Sequence, residues 1–403
     1  MRCIRSAIPV LLLCGLAFAL ASADASAQQA APTQPPPAIT MPKVTPNTNL
    51  VSPEVNPGGA VTFRIWAPDA KEVKISTEGP ESVPGATREQ AFAAMGGLPL
   101  SKAEDGVWST TLGPFPPGAY RYTFIVDGVS ATDPKNAAFS ESLSTVRSLF
   151  VIPGNFADVN DVPHGSVSTV YYHSVTLGRT RRMHIYLPPG YETGNSSYPV
   201  FYLLHGGGDC DDSWTSIGRA NFILDNLLAA GQAKPMIVVM PAGHTSTKMD
   251  MRALVTDPAS DPFLGDLMND IIPYVEKHYR VVADPAHRAI AGLSMGGIQT
   301  LNAAVLHPGF FAYVGVFSSG WFEASRDQFE QTNLAALQSP AKSAVKLFWF
   351  AVGKQDIALP NTGPAVDLLK KYGYNPETHV SDGFHAWNNW RDYLHEFAPR
   401  LFQ

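Results

Sequence analysis

The chain has 403 residues, 45% of them hydrophobic and 16% charged, with 29 Lys+Arg against 35 Asp+Glu and a net charge of −6. This is a globular composition, long enough for two or three domains with a large core. The mild acidic excess, with no lysine or arginine block beyond single pairs, excludes the basic field a nucleic-acid partner requires.

In chain order, the first residues read MRCIRSAIPVLLLCGLAFALASADASAQQA. Arg2 and Arg5 precede an apolar run from Ile8 to Ala21, and Ala25-Ser26-Ala27 follows. This is the pattern of a secretory signal, residues 1–27, cut after Ala27. The run is shorter than the ~20 apolar residues of a membrane span. The mature chain is therefore expected to be secreted or periplasmic, with no stable membrane insertion. Cys3 and Cys14 leave with the signal, so Cys210 has no intrachain disulfide partner. Residues 28–52 are rich in Pro, Gln and Thr, lack periodicity, and read as a linker.

From 53 to 153 the pattern is all-β. In AVTFRIWA, Val61, Phe63 and Ile65 alternate with Thr62, Arg64 and Trp66. EVKIS and GVWSTTLG are further short strands, and Tyr120, Tyr122, Phe124 and Val126 share one face of another. Asp127-Gly128 is a hairpin turn signal. Short strands punctuated by Pro and Gly, with no helical period, predict a small β-sandwich.

From 163 to 403 strands and helices alternate. Strands are predicted at RRMHIYLP, PVFYLLHG, PMIVVMP, RAIAGLS, AYVGVFSS, KLFWFAVG and ETHVSDG, the first of them antiparallel. Helices are predicted over 220–230, 263–278, 295–306, 364–372 and 387–402. Near-continuous apolar strands between helices predict an α/β fold with a buried, mostly parallel sheet.

Within that fold, Gly292-Leu293-Ser294-Met295-Gly296 sits where a strand meets a helix, the context of a nucleophile elbow. A serine hydroxyl needs a base, a group that orients the base, and donors for the oxyanion. In an α/β-hydrolase these follow in the order serine, acid, histidine. Asp356 ends the strand KLFWFAVG, and His385 follows the last strand, so Ser294, Asp356 and His385 form the ordered triad. Asp382 is the rival acid, but it lies three residues before His385. His379 falls inside a strand and His395 on the last helix.

For the oxyanion, one N–H should come from Met295 and another from Gly207, in the glycine run after PVFYLL. Gly206 beside it, with Trp214 and Trp387, is a candidate substrate-binding position; Trp387 and Trp390, one turn apart, read alternatively as packing groups of the last helix. His205, Asp209 and His244 lack the spacing of a metal site. No dinucleotide fingerprint follows the first strand. Neither metal nor cofactor is expected.

The motifs YPVFYLLHGGGD, DIIPYVEKHYRV, RAIAGLSMGG and GFHAWNNWRDYL together resemble the esterase D-like family of α/β-hydrolases. That family includes bacterial feruloyl esterases, enterochelin-esterase-like proteins and mycolyltransferases. WTSIGRANFILDNLLAAGQAKPMIVVMP looks most like the feruloyl esterase branch. The resemblance implies the same triad and the same oxyanion donors, Met295 and Gly207. Phe384 and Ala386 flank His385 where relatives commonly carry glycine before the base. Residues 53–153 resemble an early-set, immunoglobulin-like sandwich close to carbohydrate-binding family 48, with Trp66 and Trp108 as possible sugar platforms or, on the residues alone, packing groups.

The expected function is a secreted serine carboxylesterase cleaving hydroxycinnamoyl (feruloyl) or acetyl esters of plant polysaccharide through an acyl-enzyme. Its partner is an ester substrate, polysaccharide-linked or small and aromatic. The alternatives are a siderophore trilactone esterase, a sugar acyltransferase, or a carbohydrate-binding protein with a decayed hydrolase domain. The loop Gly243–Phe263 is expected to overhang the site.

Overall fold

The computed structural model describes residues 44–77, 96–246, 257 and 260–403. The expected signal, residues 28–43 of the expected linker, and most of the 243–263 loop lie outside the described residues. Thr45–Gln403 form one unit. Among the described residues, no helix is long and apolar enough to cross a membrane.

The N-terminal region is a sandwich of two antiparallel sheets. One holds β1 (Glu54–Val55), β2 (Val61–Trp66), β5 (Ser101–Lys102) and β6 (Val107–Leu112), in the order β1-β2-β6-β5. The other holds β3 (Val73–Thr77), β4 (Leu98–Pro99), β7 (Gly118–Val126), β9 (Phe139–Glu141) and β10 (Val146–Ile152), in the order β4-β3-β7-β10-β9, with β8 (Val129–Ala131) on β7. Strand β2 buries Val61, Phe63 and Ile65 and leaves their neighbours half-buried, as its alternation requires. Phe63, Tyr122 and Phe150 meet at ring separations of 4.8 to 5.8 Å in a core drawn from both sheets. Asp127 and Gly128 both have positive φ and join Val126 to Val129, the primed turn that a right-twisted hairpin favours. Trp108 is buried, with its indole N–H on the Ala67 carbonyl at 2.9 Å, and the Trp66 N–H donates to Asp105 O at 3.1 Å. Both indoles are thus held by packing and backbone contacts.

The expected linker extends too far. Pro46–Asn49 is a 3-10 turn. Ser52 is buried, donating to Asp133 Oδ2 at 2.6 Å and accepting from Arg64 N at 3.0 Å. Ser52 belongs to the sandwich through two hydrogen bonds that polar composition alone does not reveal.

The second region is built on an eight-stranded sheet of β11 (Ser166–Ser174), β12 (Arg179–Leu187), β13 (Val200–Leu204), β14 (Ile237–Pro241), β15 (Arg288–Leu293), β16 (Tyr313–Phe317), β17 (Leu347–Gly353) and β18 (Pro376–Ser381). The order is β11-β12-β14-β13-β15-β16-β17-β18. β12 is antiparallel to both neighbours, and β13 to β18 are parallel. β13 to β17 are buried throughout because helices cover both faces. On β13, Tyr202 and Leu204 feed one core and Phe201 and Leu203 the other.

The helices are α1 (Ala220–Ala229), α2 (Pro262–Asp266), α3 (Ile272–His278), α4 (Met295–Leu306), α5 (Glu323–Thr332), α6 (Leu334–Gln338), α7 (Leu359–Lys371) and α8 (Trp387–Phe397). α4 covers the first face, and α1 and α8 the second. The helix expected over 263–278 is split by a π turn at Leu267–Ile271, just before Pro273. The proline ring cannot fit against the carbonyl four residues back, and the wider turn relieves that clash. α7 starts at Leu359 and carries Pro364 inside it. Sequence periodicity missed β11 because this edge strand is mostly exposed. It also missed α5, which buries only Ser325 and Phe329.

Candidate active site

Ser294 occupies the turn between β15 and α4 with φ +52° and ψ −115°, a region that L side chains rarely enter. Its amide donates to Phe317 O at 2.9 Å, and Ser319 Oγ donates to its carbonyl at 2.7 Å. The flanking glycines are required by contact. A Cβ on Gly292 would stand 2.3 Å from Gly296 O, and one on Gly296 would stand 2.5 Å from His205 O. Both obstacles are backbone, which cannot swing aside. Gly292→Ala is therefore expected to cost about 3 kcal/mol of stability, the upper range for overpacking. The check is a urea melt, and an unchanged midpoint would contradict the elbow.

Asp356 follows β17 and is 4% exposed. Its Oδ1 accepts from His385 Nδ1 at 2.8 Å and from Ala358 N at 2.7 Å. Burial by itself would raise its pKa. Hydrogen bonding and charge from His385, with the Ser318 hydroxyl and the Ala358 N–H, outweigh burial and hold the carboxyl below its ordinary 3.8. With Nδ1 as the donor to a carboxylate, the neutral form of the His385 imidazole carries its lone pair on Nε2. The Trp390 ring stands perpendicular to the imidazole at 5.1 Å, and its N–H is fixed on Ser318 Oγ at 2.9 Å. The rival acid, Asp382, is exposed and paired with Lys354 at 2.8 Å. His379 faces Glu396 at 3.6 Å, and His395 stacks on Phe156 at 4.1 Å.

Ser294 and His385 line one small pocket of about 100 Å³ with Met295, Ile298, Ser318, Ser319, Gly320, Phe322, Ile357, Ala358 and Asn361. The structure thus brings Ser294, Met295 and His385 together and attaches Asp356 from behind. The lining residues Ser318 to Gly320 escaped sequence reasoning. Their signal was present in FSSG at the C-terminal end of β16, where parallel sheets present their sites.

Met295 opens α4, so its amide belongs to the helix's first turn, where N–H groups lack intrahelical acceptors and the dipole favours negative charge. The glycine run after β13 lies beside it. A Cβ on Gly206 would come 2.5 Å from Leu293 Cδ1 and 3.5 Å from Ser294 Cβ. Beneath this loop, His205 donates from Nδ1 to Gly206 O and accepts from Gly243 N at Nε2, both at 2.8 Å. Burial lowers the pKa of His205, against the opposing effects of Gly206 O and Asp209. Burial, then the neighbouring His205, brings His244 down to about 4. Both imidazoles are neutral at pH 7. Cys210 is pushed up to about 12, chiefly by burial, so it is a thiol with little nucleophilic character.

Two expected substrate contacts do not hold. Trp214 is 1% exposed and donates its indole N–H to Leu204 O at 3.0 Å. Trp387 is 5% exposed and packs edge-to-face on Trp214 and Trp390 at 5.1 and 5.2 Å. Their large apolar surfaces cement α8 to the loop before α1, away from the pocket lining. Gly206 stays beside the nucleophile.

A strand-turn-helix serine, a carboxylate-bound histidine and a parallel sheet covered on both faces define an α/β-hydrolase. The family model described as "Putative esterase" matches residues 174–401, and the chain belongs to that family of carboxylic-ester hydrolases. It is 32% identical over 362 residues to an endo-1,4-beta-xylanase/feruloyl esterase of Xylanibacter ruminicola, covering 87% of this chain and 46% of that protein. The chain thus spans less than half the length of that relative. A solved ferulic acid esterase is similar at 26% identity and a TM-score of 0.52, over 60% of this chain and 99% of its own. The enterobactin esterase FES from Shigella flexneri shares the fold at 18% identity and a TM-score of 0.59, over 85% of this chain and 93% of its own.

Proposed function

We propose that the protein is a secreted serine carboxylesterase that removes hydroxycinnamoyl, above all feruloyl, or acetyl groups from plant polysaccharide. The observation that carries the reading is the 2.8 Å bond from His385 Nδ1 to Asp356 Oδ1, with His385 and Ser294 on one pocket. Ser294 Oγ attacks the ester carbonyl as its proton passes to His385 Nε2. The N–H groups of Met295 and Gly207 receive the oxyanion. The alcohol leaves with the proton from His385, and an acyl-enzyme remains. Water then attacks with His385 as base, releasing the acid and restoring Ser294. Asp356 keeps the imidazole in its productive tautomer and stabilises the imidazolium.

The similarity to a feruloyl esterase supports the aromatic acyl group, as do Ile298, Phe322 and Ile357 on the pocket wall. The likeness to the enterobactin esterase is one of fold alone. Matched methyl esters test the acyl choice. kcat/KM for methyl ferulate is expected to exceed that for methyl acetate at least tenfold, about 1.4 kcal/mol from burying the ring. Preference for acetate would move the substrate to acetylated polysaccharide. Silence on both, with Ser294 still labelled by a fluorophosphonate, would reject the feruloyl reading in favour of lactones or acyl transfer.

A further inference from the structure

We propose that Arg121, a residue of the N-terminal sandwich, is a positioning residue for the oxyanion loop, so that the ester-cleaving site is complete only with the sandwich in place. The inference rests on the serine esterase reading above.

Arg121 lies in the middle of β7 and is fully buried. Within its own domain, Nε donates to Ser140 Oγ at 2.9 Å and Nη2 to Glu141 O at 3.0 Å. Across the domain boundary, Nη1 donates to Asp209 Oδ1 at 2.7 Å and Nη2 to Ser213 Oγ at 2.8 Å. Asp209 is the residue that ends the run Gly206-Gly207-Gly208. Its amide closes the turn on Gly206 O at 3.1 Å, and its Oδ2 lies 3.3 Å from where a Cβ on Gly206 would be. The sandwich takes a second hold on the same turn: Leu143 N donates to Gly208 O at 3.2 Å. The guanidinium also stands 5.8 Å over the Trp387 ring, two residues after His385. One buried charge therefore touches both the loop that offers the oxyanion donor and the segment that follows the base.

The physical need is clear. A run of three glycines has no side chains with which to fix itself. An oxyanion donor must nevertheless stay within about 0.5 Å of its productive place. A planar guanidinium holds its partners in a fixed fork, which a lysine ammonium cannot reproduce. Stability alone would not call for this residue, because apolar side chains of similar volume often replace buried ion pairs without loss. The surrounding contact is already apolar, since Ala119 and Leu149 of the sandwich join Trp214 and Trp387 in one core.

The test uses the full chain with Arg121→Lys and, should that variant not fold, Asp209→Asn. Asn226→Ala serves as a control, because Asn226 ties the segment after the sandwich to α1 through Phe156 O and Asp158 O, both at 2.9 Å. Steady-state hydrolysis of p-nitrophenyl acetate, affinity for a phenylboronic acid that mimics the tetrahedral oxyanion, and melting temperature are measured together. Arg121→Lys is expected to lower kcat about 30-fold with KM within about threefold, and to weaken the boronate by the same factor. Asn226→Ala is expected to lower the melting temperature and leave kcat unchanged. An Arg121→Lys enzyme with wild-type kcat, or with only KM raised, overturns the positioning role while the esterase reading stands. A wild-type chain with no Ser294-dependent hydrolysis overturns both.

Discussion

Replacing Ser294 by alanine is expected to lower kcat for methyl ferulate about 10⁶-fold, the scale seen when a triad serine is removed from a serine hydrolase. In the proposed mechanism the hydroxyl is the one group on the elbow that becomes bonded to the acyl carbon. Without it, His385 can only recruit water, and the acyl-enzyme route is closed. What remains is binding and oxyanion stabilisation, together worth about 10³ to 10⁴ over the reaction in water. The fold should tolerate the change, because alanine keeps the Cβ and the backbone contacts to Phe317 and Ser319 involve only main-chain atoms of Ser294. Active-site titration with a fluorophosphonate before the assay separates true residual rate from traces of other esterases. A variant that still takes the label, or retains a tenth of the wild-type rate, would place the nucleophile elsewhere.

The sheet and the placement of the candidate site on it were legible for the same reason. Strands buried on both faces must be apolar throughout, so β13 to β17 stand out as runs, and a parallel sheet presents its site at the strands' C-terminal ends. Ser294, Asp356 and the FSSG segment after β16 all lie there. Choosing Asp356 over Asp382 needed only chain spacing, and the structure supplies the electrostatic reason: Asp382 is in solvent with Lys354. The indoles were legible only in part: packing on the last helix is one of the two sequence readings of Trp387, while nothing in the sequence signals the burial of Trp214. Trp214 and Trp387 sit near the site in sequence, yet their burial depends on where α8 packs, against a residue, Gly218, that leaves room for the ring. A Cβ there would come 2.8 Å from Trp387 Cζ3. Arg121 was hidden more deeply. Its partner Asp209 is 88 residues away, and an arginine in an alternating strand reads as a solvent-facing residue until the second domain covers it.

Asp356→Asn is expected to lower kcat about 10⁴-fold with little change in KM. The carboxylate accepts from His385 Nδ1, so Nε2 is free to take the serine proton. An asparagine amide turned to donate would accept that arrangement only if Nδ1 became the acceptor, and then Nε2 carries a hydrogen and cannot act as base. The loss is one of tautomer, so geometry and substrate affinity survive. Asp382→Asn, which touches only the exposed pair with Lys354, is expected to stay within about twofold of wild type. Asp356→Asn also has a pH signature in stability. Asp356 has a folded-state pKa below its ordinary 3.8 despite burial, because bonds to His385, Ser318 and Ala358 favour the ionised form. A depressed carboxyl pKa contributes stability that is fully present above the unfolded value and is lost as pH falls through the folded one. The wild-type advantage over Asp356→Asn from this ionisation should therefore hold steady between about pH 5 and pH 6 and narrow only below about pH 4. Denaturant melts across that range read it directly. An advantage that grew on acidification would mean the carboxyl is protonated in the folded enzyme, and the orienting role would have to pass to another group.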